Sequence, residues 1–438
     1  MVQIIDYLQN FNRGSWRLNL YNIIILFLIK LNLEFQIKLF FFTFNKYRKI
    51  FWISNFILFG MSEKIQEKIE ELEERLANTK VNKATQKSIN YTKAQLAKLR
   101  NDLIGIASSK KGGGKGFGIK KTGDAQVAFI GFPSVGKSSL LNLLTEGRTD
   151  SKVAAYDFTT LTAIPGMMDI EDAKIQLIDL PGIILGAAAG KGRGKEVIAA
   201  VRSAELILII ICFREDGTIK FDDLTKIRNE VYNASIRLNS RPARIIIKKQ
   251  TKGGVHFSYK GHQIMDTDEI KSLMNDLGVR NAGVYFSEPD ITPDQLIDHV
   301  MGNRIYTQEF VVINKSDLMK EELSPEKISE EIGHNHWVMI SAKNRENINA
   351  LRHRIFQELN LIRVYLKPPK QEADLNEPII LHKGDTLEIL CRKIHKRFVK
   401  EFRYSLIWGK SAKHPGQKIA NLNHVIKDND IISIYLKR

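Results

Sequence analysis

Cysteine is nearly missing from this 438-residue chain, which has two, Cys212 and Cys391, in stretches that read as buried strand and helix. Two distant cysteines exclude a disulfide framework and a cysteine-based metal site, and they fit a reducing compartment, the cytoplasm. Acidic residues are also short: 49 Asp and Glu face 66 Lys and Arg, for a formal charge of +17. No single tail carries that excess, so a polyanionic partner is expected. Long apolar runs are missing too. A membrane span needs about 20 predominantly apolar residues, whereas residues 18–29 are followed by Lys30, Glu34 and Lys38, and residues 50–60 are too few. No early basic region with a small-residue cleavage site marks a secretory signal. Residues 1–60 contain no alanine and no proline and sustain no periodicity. They read as an upstream-translated or disordered segment ahead of a start at Met61, and a membrane partner is not expected.

What is present begins at Gly131-Phe-Pro-Ser-Val-Gly136-Lys137-Ser138, a full G-x-x-x-x-G-K-S phosphate loop. An apolar run, Val127 to Ile130, reads as the strand before it, and Ser139 to Leu144 as the helix after it. In that order the glycines let backbone N–H groups turn inward around phosphate oxygens, and the helix N-terminus adds positive potential. Gly131, Pro133, Ser134, Val135, Gly136, Lys137, Ser138 and Ser139 are therefore the candidate phosphate contacts. Lys137 bridges the terminal phosphates, and the Ser138 hydroxyl is a Mg2+ ligand.

Three further motifs follow in the order a nucleotide switch requires. Thr159 and Thr160, within Tyr156-Asp-Phe-Thr-Thr-Leu161, stand where such switches place a Mg2+-ligating threonine, and the sequence does not separate the two. Asp179-Leu-Pro-Gly182 follows a strand; Asp179 holds Mg2+ through water, and the Gly182 N–H meets a γ-phosphate. Lys137, Thr160 and Gly182 are thus the candidates closest to the reaction. Ile183 comes next, where a glutamine would orient the attacking water. An aliphatic side chain cannot do this, so another group, a monovalent cation such as K+, or a partner must. Asn314-Lys315-Ser316-Asp317 then follows the apolar run Phe310 to Ile313. Its aspartate can accept from guanine N1–H and the 2-amino group, donors that adenine lacks in that geometry, which discriminates by roughly 10⁴ or more. Ser341, Ala342 and Lys343 supply the loop that closes over the base. GTP or GDP with Mg2+ is the ligand set these motifs describe.

Around this core lie additional units. Ile65, Ile69, Leu72 and Leu76 recur at helical spacing, and with a second helix through Leu96, Leu99 and Leu103 they predict a helical hairpin over 61–109. Residues 110–123, lysines among glycines, read as a linker. Between Asp179 and Asn314 the chain is longer than a minimal domain needs, at about 30 residues per βα unit. The surplus maps to an inserted α/β domain at 239–303, between G-domain segments 124–238 and 304–361. In it, residues 244–254 and 255–259 predict a β-hairpin, with helices near 268–277 and 292–301. Residues 362–438 predict strand, strand, helix, strand, strand, with the helix running from Thr386 to Phe398, which suits a ubiquitin-like β-grasp.

The assembly closely resembles the developmentally regulated GTP-binding protein (DRG) family, Obg-type translational GTPases. The residues that carry the likeness are Gly131 to Ser138, Phe158-Thr-Thr-Leu161, Asp179 to Ile184, Asn314 to Asp317, Ser341 to Lys343, Lys393 to Phe402, and Trp408-Gly409. The likeness runs from about Met61 to the C-terminus and leaves residues 1–60 without a counterpart. It implies an α/β P-loop GTPase, with a mostly parallel sheet and helices on both faces, joined to a helical hairpin, an inserted domain and a C-terminal TGS domain. It also implies slow, often potassium-helped GTP hydrolysis, a cytoplasmic monomer, ribosome or rRNA as partner, and a regulatory protein partner. Many potassium-dependent relatives carry a phosphate-loop Asn where this chain has Ser134. The competing expectation is a module that holds GTP structurally with negligible turnover.

Overall fold

A computed structural model describes residues 63–82, 85–109, 121–146, 164–179, 203–369 and 371–437. Met1–Lys68 and Ile69–Arg438 are separate compact units, and the features below belong to the second, apart from the first residues of the opening helix. The expectations for residues 1–60, the 110–120 stretch of the linker, Thr159, Thr160, Gly182 and Ile183 lie outside the described residues.

The central sheet has the strand order β10-β9-β4-β1-β3-β2, with β5 (Ile236–Leu238) pairing along β9. Strands β1 (Ala125–Ile130) and β4 (Leu206–Cys212) are buried at every position, which is why both read as continuous apolar runs. β3 (Ala173–Asp179), β4, β9 (Ile305–Asn314) and β10 (Trp337–Met339) continue the sheet in parallel. Among the described residues of this sheet, only β2 (Ile164–Ile170) runs against its neighbour.

Alternate residues of each strand feed two cores. On one face Val127, Phe129, Leu208 and Val312 pack with Leu140, Leu141 and Leu144 of α3 (Lys137–Leu144) and with Leu351 and Ile355 of α8 (Ile348–Glu358). On the other, Ala128, Ile130, Ile209 and Ile313 pack with Leu224 and Ile227 of α4 (Phe221–Asn233) and with Ile328 and Ile332 of α7 (Pro325–Ile332). Burying such side chains on both faces, at about 25 cal/mol per Å² of apolar surface, is the main stabilisation of a sheet of this kind.

Two helices precede the sheet, α1 (63–78) and α2 (Gln86–Ser109). Asn82 and Thr85 close the break between them, the Thr85 N–H donating to Asn82 Oδ1 at 2.9 Å. Arg100 reaches back to Glu73 at 2.7 Å. Ala94 and Ala97 enter the core of the inserted unit, and Asn90 donates to Glu269 at 2.6 Å.

The inserted unit holds β6 (Ile245–Lys249), β7 (Val255–Tyr259), α5 (Thr267–Asp276), β8 (Ala282–Phe286) and α6 (Pro293–Met301). The expected β6–β7 hairpin does not form. The order is β6-β8-β7, with β8 antiparallel to β6 and parallel to β7. Strand β8 leaves little signal in the sequence, because Ala282-Gly283-Val284-Tyr285-Phe286 is short and carries glycine at its second position. Once formed, it takes the central place that buries Val284 and Phe286.

The C-terminal sheet has the order β12-β11-β15-β13-β14, from β11 (Leu361–Leu366), β12 (Ile379–His382), β13 (Phe402–Trp408), β14 (Gln417–Ile419) and β15 (Asp430–Leu436). The helix expected to reach Phe398 stops at Ile394. His395 is extended, with φ −171° and ψ 142°, and its ring nitrogen accepts the Arg397 N–H to cap a second helix. Helices α9 (Leu387–Ile394) and α10 (Lys396–Lys400) therefore replace one, and the short β14 is a fifth strand that sequence reading missed. Cys391 is free and fully buried in this core, which pushes its thiol up to about 11. Glu205 ties this unit to the central sheet by accepting from His382 at 2.8 Å, and Lys393 bonds Asp124 at 3.0 Å.

A buried ionic joint fixes the inserted unit. Asp298, on α6 and 5 % exposed, receives Arg237 Nε at 2.6 Å and Nη2 at 2.7 Å, and Arg304 Nε at 2.6 Å. Replacing Asp298 by Ala takes the shared carboxylate away from two guanidinium groups whose side chains are only 11 % and 5 % exposed. We expect Asp298→Ala to cost about 3–5 kcal/mol in urea unfolding; a loss under about 1 kcal/mol would show that the joint is solvated.

Candidate functional site

The loops that follow β1, β9 and β10, and Asp179 at the end of β3, all lie at the carboxyl ends of parallel strands, where open α/β sheets bind their ligands. The first runs from Gly131 to Gly136 and opens α3. Gly136 has φ 95°, and a Cβ there would stand 2.3 Å from Asn314 Nδ2. At Gly131 a Cβ would meet the Ile210 carbonyl at 2.5 Å. Both positions thus require glycine, one by backbone sign and neighbour and the other by close approach. Ser134 also takes positive φ, 64°, which a non-glycine residue adopts at some cost. Lys137 Nζ donates to the carbonyls of Gly131 and Phe132, each at 2.9 Å, so the amine lies across the loop it belongs to. Burial pushes its ammonium below the usual lysine value, and the Asp179 carboxylate opposes that shift.

Ser138 and Asp179 meet below this loop. Ser138 Oγ donates to Asp179 Oδ2 at 2.8 Å. Asp179 is 3 % exposed, and its other oxygen, Oδ1, is buried without a hydrogen-bond partner. An unpaired buried carboxylate oxygen is costly. A hydroxyl beside a carboxylate is the hard oxygen set that Mg2+ accepts, the ion keeping water and phosphate oxygens at its other positions. The residues present therefore fit a Mg2+ ion. Among the described residues, no group of three or more His, Cys, Asp and Glu side chains is placed to hold a metal by itself.

Asn314 joins the first loop to the last two. Its Nδ2 donates to the Val135 carbonyl at 2.7 Å, while Oδ1 accepts from the N–H groups of Lys315 at 2.8 Å and Ala342 at 3.0 Å. Lys315 takes φ 63°, which turns the chain sharply into a short 3-10 turn, Ser316–Leu318. Asp317 accepts from the buried Ser341 hydroxyl at 2.6 Å, and Ser341 Oγ also accepts the Asn344 N–H at 3.1 Å. A cleft lined by Ser139, Ala342 and Lys343 connects α3 to this last loop. Of the residues read from sequence, the structure brings together Gly131 to Ser139, Asp179, Asn314 to Asp317, and Ser341 to Lys343. Asn344, which fixes the Ser341 hydroxyl, was not anticipated, because it acts through its backbone and leaves no side-chain signal.

A family model described as "50S ribosome-binding GTPase" matches residues 126–249, one described as "C-terminal region of MMR_HSR1 domain" matches 252–361, and one described as "TGS domain" matches 362–436. The chain is 44% identical over 396 residues to the uncharacterized GTP-binding protein MJ1326 of Methanocaldococcus jannaschii, covering 89% of this chain and 98% of that protein. It is 43% identical over 373 residues to developmentally-regulated GTP-binding protein 1 of Xenopus laevis, covering 84% and 98%. The chain belongs to the developmentally regulated GTP-binding protein family. GTP-binding protein 1 of Schizosaccharomyces pombe is 39% identical over 374 residues, covering 85% and 99%. As a DRG-family protein the chain is a GTP-binding GTPase, with a P-loop GTPase domain and a C-terminal TGS domain. The family binds GTP and GDP, typically with Mg2+.

Removing the Asn314 carboxamide leaves the Val135 carbonyl and two N–H groups without this partner. Asn314→Ala should therefore cost about 1–3 kcal/mol in denaturant unfolding and loosen the phosphate loop and the base loop together, lowering guanine-nucleotide affinity. Unchanged stability and affinity would show that the three contacts are not coupled.

Proposed function

We propose that this protein is a Mg2+-dependent GTP-hydrolysing switch that acts with the ribosome or its RNA. The observation that carries the reading is the Ser138–Asp179 pair, with one carboxylate oxygen buried and unpartnered beneath the phosphate loop. When bound there, Mg2+ neutralises charge on the phosphate oxygens. The chain's own groups do the rest. Backbone N–H groups from Ser134 to Ser139 surround the phosphates, and Lys137, freed from its two carbonyls, places its charge against the terminal ones. From their place in the sequence, Thr159 or Thr160 would complete the Mg2+ ligands, and the Gly182 N–H would report the third phosphate. Asp317 reads guanine, Lys315 packs over the nucleotide, and Ser341, Ala342 and Lys343 close the pocket.

Ile183 cannot orient water, so the reaction is slow without a further group. Potassium or a partner protein supplies it. A formal charge of +17 supports RNA as the partner, as does the description of the matching family model as a ribosome-binding GTPase. We place the action in the cytoplasm, on a monomer.

Asp317→Asn exchanges the acceptor that guanine needs for a donor. Nucleotide competition is expected to show preference moving from GTP toward xanthosine triphosphate by 100-fold or more, of the order set by a mismatched buried hydrogen bond, about 10²–10⁵; undiminished GTP preference would remove Asp317 from the base pocket. Sedimentation with ribosomes should increase with a non-hydrolysable GTP analogue relative to GDP and fall steeply with salt. Equal pelleting in both nucleotide states would contradict a switch.

A further inference from the structure

The inserted sheet β6-β8-β7 covers a core on one side only. Alternation sends Ile245, Val284 and Phe286 inward to the cluster shared with α5 and α6, and it sends the intervening residues outward. Register sets those outward residues in rows. Ile246, Tyr285 and Ser258 stand side by side, and Lys248, Gly283 and His256 form the next row. The Ser287 N–H bonds the Arg244 carbonyl and the Lys260 N–H bonds the Phe286 carbonyl, which puts Arg244 and Lys260 in a third row on the far side of Tyr285.

This face is open. Tyr285 is 39 % and Ile246 50 % exposed, and Arg244, Lys248, His256 and Lys260 are exposed with them. None of the side chains in these rows is a carboxylate. Two features select the occupant. Lys248 and Lys260 set positive charge on both sides of Tyr285, while the neighbouring carboxylate, Glu288, is held at the sheet end by the Arg244 N–H at 2.9 Å and Arg241 at 2.8 Å, so the face favours an anionic partner. The ring supplies the second: Tyr285 lies on the central strand, two residues from Gly283, where an added Cβ would find only Gln250 Nε2, at 3.6 Å. The gap beside an exposed ring admits a flat group. The cationic rows on its two sides lie four residues apart, about 13 Å at ~3.3 Å per residue. A stacking ring between two lines of cations matches an unpaired base with its neighbouring phosphates. An acidic protein would satisfy the charge and leave the ring and the gap unused.

We propose that the outward face of this sheet binds single-stranded RNA, one base stacking on Tyr285 and the flanking phosphates meeting Lys248 and Lys260. The proposal rests on RNA being a partner of this protein and names the surface that meets it. The test is fluorescence anisotropy of a labelled, unstructured RNA oligonucleotide titrated with the full chain, GDP-saturated, across a series of KCl concentrations. Tyr285→Ala should lower affinity about 10-fold with an unchanged salt slope, and Tyr285→Phe should retain affinity. Lys248→Ala and Lys260→Ala should each flatten the log–log salt slope by about 0.7. Guanine-nucleotide affinity should be the same in all four variants, which separates loss of this surface from failure of the nucleotide site. RNA affinity in Tyr285→Ala equal to the unaltered protein overturns the proposal. So does an equal loss of heparin binding in Tyr285→Ala, since heparin offers charge without bases.

Discussion

The carboxamide of Asn314 is a single planar group that three loops share. Its N–H meets the carbonyl of Val135 in the phosphate loop, and its oxygen holds the backbones of Lys315 and Ala342. Because it is 2 % exposed, these bonds compete with little water, and losing one cannot be made good by solvent. The amide is also the reason Gly136 admits no side chain, since a Cβ would fall on Nδ2. A ligand held by the phosphate loop and a ligand held by the base loop are thus held by one rigid corner of the sheet. This is the arrangement that keeps the two ends of a nucleotide at fixed separation, and it depends on β4 and β9 running parallel in register, Cys212 beside Asn314.

The surrounding units are attached to that corner's scaffold by different physics. The inserted unit is locked by a carboxylate between two guanidinium groups, Asp298 with Arg237 and Arg304, in a buried site. The C-terminal unit shares apolar contacts, since Leu361 and Ile380 enter the core of the central sheet, and it adds polar ties through Glu205 and Lys393. Burial works against the charge on Glu205, but hydrogen bonds from His382 and Lys121 prevail and hold its carboxyl below the usual glutamate value. Its contribution to stability is therefore complete above the ordinary glutamate range and is lost as pH falls through that lowered value.

Much of this was readable in the chain because buried parallel strands and phosphate-binding turns leave local signals. Val127 to Ile130 and Leu206 to Cys212 could hardly be anything but strands, and Gly131 to Ser138 names its own geometry. The failures were long-range. Nothing near Lys249 or Val255 says that a strand 30 residues later will come between them, because the burial of Val284 and Phe286 decides it. The helix break at His395 is likewise invisible in periodicity, since it depends on one imidazole capping the next turn. Asp179 and Ser138 were expected at the metal; their direct bond was not, since 41 residues separate them.

If these loops form one site for guanine nucleotide with Mg2+, calorimetric titration of the unaltered chain will register it. With Mg2+ present, GTP should bind at one site per chain, ATP should not compete, and chelating Mg2+ should weaken GTP binding. Absence of guanine-nucleotide binding with Mg2+ present, or equal binding of ATP, would show that the loops do not form such a site.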